Sequence, residues 1–477
     1  MKKIVCFLLC LVFLPVLSSC KKDNESRNLV NLYLTFSEDM TVDGVMEYVF
    51  TSPKNDLSTC VFNLYPNAFK GSSPVYESDF SLAYPNGFSK GYIDILSVKE
   101  GGEKASFTVN GINEQTLTVF LTKQLKKGEK SSLYIEFKTI LPNAYHRFGY
   151  GDDTVNLSGF YPTPCIYENG EFIVNAYYPA GDPFYSECKD YTVTLSVPSD
   201  YSVASSLTPT GTVWSGGETE YSYERKNVRE IAFVLSKKFE IAKCNHNGVE
   251  ISYYYYDDEN PEKTLETAKQ SLEYYSNEYY KYPYGEYVVC EGDFLYGGME
   301  YPCLSLISDS AYSERDYVVA HETAHQWFYG IVGVNQSEIG YLDEGLTEYL
   351  TISFLSDRGD GDYGEYVKTA KREYLDVKNA LVYQGVTTPP IMERNLKDFS
   401  SEIEYVMIAY KRSLIAIDGL KGYVGDKKFK KALKKFVSEK AFSNATTDDF
   451  ISVFDKKKRG AGKFFKDFVQ GKAEVIY

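Results

Sequence analysis

The chain has four histidines, His146, His246, His321 and His325, and two of them fall in a single run, "HETAHQW". On a helix, residues four apart share a face. His321 and His325 can therefore point one imidazole each at the same ion, for which Zn2+ is the usual occupant. Glu322 follows His321 directly and points close by without having to bind. Such a carboxylate can take a proton from a water that the ion activates. A catalytic zinc wants three protein ligands and one open position. Downstream, "YLDEGLTEYL" offers Asp343, Glu344 and Glu348, with eighteen residues between His325 and Glu344. That span is enough to leave one helix, turn and return on a second. Both Glu344 and Glu348 could face the ion there, and spacing alone does not decide between them. About twenty residues upstream, "GGMEYP" sets Gly297, Gly298 and Met299 ahead of a lone carboxylate, Glu300.

These residues need elements to hold them. "ERDYVVA" supplies Val318, Val319 and Ala320 just before His321, which suits a buried helix. "PEKTLETAKQSLEYYSNEYY" reads as another, with Pro261 at its start and Leu265, Ala268, Leu272, Tyr275 and Tyr279 at helical spacing. Between the two helices, "GEYVVCEGDFLYGGMEYPCLSLI" predicts one or two strands. From about Asp316 onward helices dominate. In "DKKFKKALKKFVSEK" the apolar face is Phe429, Leu433 and Phe436, and the lysines form a solvated face. From Leu29 to Phe239 the period is two instead. Leu117, Val119 and Leu121 share a face, as do Leu133, Ile135 and Phe137, and Tyr191, Val193, Leu195 and Val197. Gly, Pro, Asn and Asp clusters separate these runs, the signature of antiparallel strands with one face buried. The expectation is an α+β multidomain chain. An antiparallel β domain over 29–242 would precede a mixed, then α-helical, domain over 243–477.

With 477 residues, 43% hydrophobic and 25% charged, the composition is that of a globular protein of two or three domains. A net charge of −15 argues against a nucleic-acid partner, which wants a basic face. Lys2 and Lys3 precede an apolar run, Ile4 to Leu17, too short to span a bilayer comfortably, so residues 1–19 read as an export signal. The run ends in "LSSC", which resembles the lipobox of bacterial lipoproteins, in which the Cys carries the lipid. Cys20 would then anchor the chain to the membrane of a bacterial envelope through a polar tether, residues 20–28. Past Cys20 six cysteines remain: Cys60, Cys165, Cys188, Cys244, Cys290 and Cys303. Export permits disulfides among them in fifteen pairings, and none forms the Cys-x-x-Cys of a metal site.

His-Glu-x-x-His, then eighteen residues, then Glu344 followed by Gly, resembles the zinc aminopeptidases of the aminopeptidase N and leukotriene hydrolase family. That family carries Gly-x-Met-Glu-Asn shortly before the zinc helix; here Gly297-Gly298-Met299-Glu300 is followed by Tyr301 in place of Asn. Its catalytic Tyr lies in Tyr-x-Lys/Arg-Gly, which "AYKRSL" matches with Tyr410 and Arg412, Ser413 replacing Gly; Tyr405 lacks the basic residue at that offset. "SNATTDDF" also looks like the end of that family's catalytic domain. The resemblance implies a thermolysin-like metallopeptidase domain with one Zn2+ on His321, His325 and Glu344. Glu322 would be the general base, and Tyr410 would stabilise the oxyanion. It further implies a peptide partner whose free α-amine pairs with Glu300, while the glycines let substrate backbone approach a strand edge. The β domain would send a second group to that amine, with Glu168 or Glu171 as candidates. The large helical domain that follows in many relatives is not in this sequence, which implies a more open cleft. An endopeptidase, a hydrolase of modified peptides, and a non-catalytic metal-containing binding lipoprotein are the rival readings.

Overall fold

The computed structural model describes residues 27–311, 313–385 and 389–475. The expected export signal, Cys20 and all but the end of the tether lie outside the described residues.

The first half is built on an eight-stranded sheet. Its spatial order is Thr208–Ser215, Glu218–Val228, Lys189–Pro198, Leu29–Ser37, Thr41–Thr51, Lys130–Ile140, Tyr92–Glu100 and Glu103–Lys104. Two four-stranded sheets accompany it. The period-two faces read from the sequence point inward: Leu133, Ile135 and Phe137 are buried, as are Tyr191, Val193, Leu195 and Val197. One pair departs from the antiparallel expectation. Leu29–Ser37 runs parallel to Lys189–Pro198, with Val30 opposite Tyr191. The chain between them is long enough for the crossover a parallel pair requires.

The second half opens on a five-stranded sheet in the order Glu240–His246, Val249–Tyr255, Glu286–Gly292, Leu304–Ser308 and Gly298–Met299. The expected boundary at 242/243 falls inside its first strand. Helix α1 (Pro261–Glu278) makes the crossover between the parallel strands Val249–Tyr255 and Glu286–Gly292. Its inward side is Leu265, Ala268, Leu272 and Tyr275, the spacing that marked it in the sequence. Helices α2 (Arg315–Ala324), α3 (Gln336–Arg358) and α4 (Tyr363–Tyr383) follow. α3 is kinked at Ile339 and closes on Gly359, whose positive φ makes the left-handed cap. Asp362 caps α4 by accepting from Glu365 N–H. In "SNATTDDF", Thr446 and Asp449 form a reciprocal capping box that starts the helix Thr447–Asp455.

The two halves share apolar core: Met299, Tyr301, Leu304 and Leu306 pack into the same cluster as the β-domain strands. Arg229, buried at the end of the β domain, donates to the carbonyls of Ser186 and Tyr329 at 2.8 Å and of Ser443 at 2.7 Å. Buried guanidinium donors spent on three separate segments fix those segments relative to one another. The six cysteines are all free thiols, five of them buried. The disulfide pairings that an export signal permits are therefore not used in this fold.

Candidate active site

The last turn of α2 carries His321, and His325 caps its end, its N–H bonded to the His321 carbonyl at 3.2 Å. As the four-residue spacing requires, the two rings meet. Their centroids are 4.8 Å apart, and His321 Nε2 lies 3.1 Å from His325 Nε2. α3 brings Glu344 to the same point, with Oε2 3.4 Å from His321 Nε2 and 3.3 Å from His325 Nε2. The ambiguity left by spacing resolves geometrically. Glu348, one turn along α3, also faces the site, but on the far side of the ring, 3.1 Å from His321 Nδ1. It also accepts from Tyr317 Oη at 2.8 Å. Asp343 takes the matching position on the other imidazole, 3.1 Å from His325 Nδ1. Each histidine thus has a carboxylate beside its Nδ1; at His325 it is hydrogen-bonded, an arrangement that orients Nε2 toward a metal and raises its basicity.

The residues fit a zinc ion. Among the described residues Glu344 Oε2 is buried without a hydrogen-bond partner, facing two Nε2 atoms that cannot both donate to each other. Two imidazole nitrogens and a carboxylate oxygen are a catalytic zinc donor set, and the ligand atoms of His321, His325 and Glu344 all lie within 4.8 Å of one another. Burial opposes charge on His321, yet Glu344 and Glu348 hold its pKa up at about 9. Burial also works against the Glu344 carboxylate, but His325 and His321 pull it down to about 2.

Glu322 is buried beside the pair, and burial pushes its carboxyl up to about 8 against the pull of His321 and His325. Its place explains one of the two glycines. The strand Gly298–Met299 is the outermost of its sheet, antiparallel to Leu304–Ser308. A Cβ on Gly298 would come within 2.6 Å of Glu322 Cγ and Oε1, whereas one on Gly297 would meet only Val318, at 3.4 Å. Gly298 therefore makes room for Glu322. The Met299 side chain is buried in the core shared with the β domain, so at that position the edge strand offers backbone.

Glu300 follows, buried, with Oε1 accepting from Gln336 Nε2 at 2.9 Å. Its segment is clamped from α2's end: Gln326 Nε2 donates to the Tyr301 carbonyl at 3.0 Å, and Gln326 Oε1 accepts from Cys303 N–H at 2.7 Å. Glu300 lies against the metal group, since its carboxylate, His325 and Asp343 have ligand atoms within 4.8 Å of one another.

Tyr410 sits on a π-helical turn, Val406–Arg412, a distortion frequent at functional sites. Its ring stacks on His321 at 5.9 Å, and burial, with the Glu344 carboxylate adding, pushes its phenol well above the usual value. Tyr405 is next to it, ring centroids 6.0 Å apart, but its hydroxyl is packed against Gly181 and Gly340. Ser413 stands where the family pattern has Gly. It is accommodated by Gly345, where a Cβ would lie 2.4 Å from that of Ser413. Beyond Tyr410, Glu348 and Tyr317 a cavity of about 510 Å³ extends toward Arg358, Glu373 and Lys411.

Of the expected β-domain candidates, Glu168 accepts instead from Tyr185 Oη at 2.8 Å, and Glu171 is exposed on the same hairpin. Gln336 and the part played by Gln326 escaped the sequence reading. Neither amide belongs to a metal-ligand or acid–base pattern, and only the fold brings them to the site.

Residues 263–470 match the peptidase family M1 domain. Among curated proteins, the chain is 26% identical over 364 residues to aminopeptidase M1 of Arabidopsis thaliana, covering 69% of this chain and 40% of that one. It is 28% identical over 198 residues to leukotriene A-4 hydrolase of Xenopus laevis, covering 39% of this chain and 30% of that one. The chain thus spans well under half the length of these two relatives. Among solved structures, the M1 zinc metallopeptidase of Deinococcus radiodurans superposes with a TM-score of 0.68 at 17% identity, covering 94% of each chain. That likeness establishes the two-domain α+β fold over nearly the whole chain. The residues that match the peptidase family M1 domain include His321, His325 and Glu344.

Proposed function

We propose that this chain is a zinc aminopeptidase that removes residues from the free N-terminus of peptides. The observation that carries the reading is the position of Glu300: a buried carboxylate directly after the edge strand Gly298–Met299, set against the metal-ligand group. A carboxylate there pairs with an α-ammonium and leaves room for one residue before the scissile bond. Zinc held by His321, His325 and Glu344 supplies Lewis acidity when bound, activating a water and polarising the scissile carbonyl.

The chain's own residues do the rest. Glu322 takes a proton from the attacking water at its carboxylate and passes it to the leaving amine. The backbone edge at Gly298–Met299 aligns the substrate as an added strand. Tyr410 donates its hydroxyl proton in a hydrogen bond to the oxyanion that develops on the scissile carbonyl. The cavity beyond Tyr410 takes the residues that follow the cleaved bond. Two relatives named for aminopeptidase or leukotriene hydrolase activity support the reading. So does a Deinococcus radiodurans neighbour whose structure was solved with a Tyr-Ser-Ala substrate. For location, the sequence supports export to a bacterial envelope and anchoring by lipid on Cys20.

The test is an assay of aminoacyl fluorogenic amides beside their N-acetylated forms, with and without a chelator, on the chain starting after Cys20 and on Glu300→Ala. Chelator-sensitive release from free-amine substrates alone, lost in Glu300→Ala, is the expected result. Equal cleavage of acetylated substrates would replace the aminopeptidase with an endopeptidase. If cleavage of every substrate is absent and Glu322→Gln changes no measured property, the binding lipoprotein stands.

A further inference from the structure

Gln336 opens α3 and is buried. Its Nε2 donates twice, to Glu300 Oε1 at 2.9 Å and to Asp343 Oδ2 at 2.7 Å. The amide orientation is dictated by chemistry: the reverse would set its oxygen against two carboxylate oxygens. Asp343 uses its other oxygen, Oδ1, on His325 Nδ1 at 3.1 Å. One neutral side chain therefore closes an unbroken path, Glu300 to Gln336 to Asp343 to His325. Gln336 Oε1 is buried with no donor among the described residues, so they hold the side chain through its two N–H groups. Without those donors, two buried carboxylates would face each other across the gap, a costly pairing in a low-dielectric interior.

We propose that Gln336 is a positioning residue that couples the grip on the substrate's amine to the orientation of the metal ligand His325. The inference rests on the aminopeptidase reading for Glu300, but not for His325. On the Glu300 side, the amide fixes the rotamer of the carboxylate while leaving its second oxygen for the ammonium. On the Asp343 side, it anchors a carboxylate that shares His325 Nδ1 with the Phe328 carbonyl, 3.0 Å away, and helps to hold the ring with Nε2 available as a ligand.

The test uses two variants of the chain starting after Cys20. Gln336→Met keeps the side-chain volume and loses both donors. Gln336→Glu keeps the shape and puts an acceptor where a donor stood. Zinc affinity is measured by competition with a chromogenic chelator, and KM and kcat are measured on free-amine aminoacyl amides. Disturbing a carboxylate that supports a ligating histidine costs typically about 10- to 100-fold in metal affinity. Gln336→Met is therefore expected to weaken zinc by about tenfold and to raise KM by a similar factor, with kcat at saturating zinc reduced less. Gln336→Glu is expected to be worse on both counts. A general loss of stability would lower the melting temperature and the active fraction without moving zinc affinity or KM of the folded protein. Folded variants with the parent's zinc affinity and KM would overturn the proposal. If the parent cleaves no free-amine substrate, the aminopeptidase reading fails, while the zinc arm still decides the link from Gln336 to His325. Should either variant not fold, the other carries the same measurements.

Discussion

Gly298 and Glu322 occupy one another's space: a β-carbon on the glycine would lie 2.6 Å from both Cγ and Oε1 of the glutamate. The edge strand and the helix carrying the proposed base are thus packed so closely that only a residue without a side chain fits between them. Gly298→Ala is expected to push the Glu322 side chain aside, leaving the metal ligands where they are. A displacement of about 1 Å in a catalytic group costs on the order of a hundredfold in rate. The expected outcome is a fall of that size in kcat with bound zinc unchanged, measured by steady-state kinetics and metal analysis. Gly297→Ala is the control. Its β-carbon would be 3.4 Å from Val318, an ordinary contact, and its kcat should stay close to the parent's.

Tyr410 and Tyr405 are neighbours in different surroundings. Tyr410 faces His321 and Glu344, while the Tyr405 hydroxyl is packed into Gly181 and Gly340. Loss of an oxyanion donor typically costs about two to three powers of ten in kcat. Tyr410→Phe is therefore expected to lose that much in kcat with KM little changed. Tyr405→Phe should keep most of its kcat. The reverse ranking would move the oxyanion role to Tyr405.

The candidate metal group and the glutamate beside it were legible because such a group has a spacing. His321, Glu322 and His325 lie within one helical turn and a half, and a helix turns that spacing into a shared face without help from the rest of the chain. Glu344 against Glu348 was not decidable, because residues four apart on α3 face the same way, and only the approach of α3 to α2 assigns one to Nε2 and the other to Nδ1. The β domain's inward faces were legible from period two. The parallel pairing of Leu29–Ser37 with Lys189–Pro198 was not, because alternation specifies a face and says nothing of which strand lies next door. Gln336 was invisible for a related reason. A buried glutamine matters here only through the two carboxylates that the fold sets around its amide, and one of them lies 36 residues away in sequence.

Gly345 and Ser413 form a complementary pair between α3 and the helix Ser413–Val424. A Cβ on Gly345 would meet the Ser413 Cβ at 2.4 Å and Ile417 Cδ1 at 3.1 Å. Overpacking of this kind typically costs about 1–3 kcal/mol. Gly345→Ala is expected to lower the melting temperature accordingly, and to weaken zinc through the neighbouring Glu344. Gly345→Ala combined with Ser413→Gly should recover part of the loss, since the closest contact disappears and the Ile417 contact remains. Additive destabilisation in the double variant would show that the two positions are not coupled.

Glu230 is buried at the end of the β domain, where Tyr329 Oη donates to its Oε1. Burial pushes its carboxyl up to about 8, with the hydrogen bond from Tyr329 pulling the other way and Glu300 adding to the rise. An unfolded glutamate titrates near 4.3. The folded state therefore holds a proton that the unfolded state releases between those two values. By linkage, the stability this group contributes is fully present below about pH 4.3, falls as pH rises, and is lost once pH passes about 8. Glu230→Gln keeps the shape and an acceptor for Tyr329 but removes the titration. Relative to the parent, it should be near neutral for stability at pH 5 and progressively more stable through pH 7 to 9. Thermal melts of the two proteins across that range are the measurement. A difference in melting temperature that stays constant with pH would mean that Glu230 is ionised in the fold throughout, and that its hydrogen bond from Tyr329 outweighs its burial.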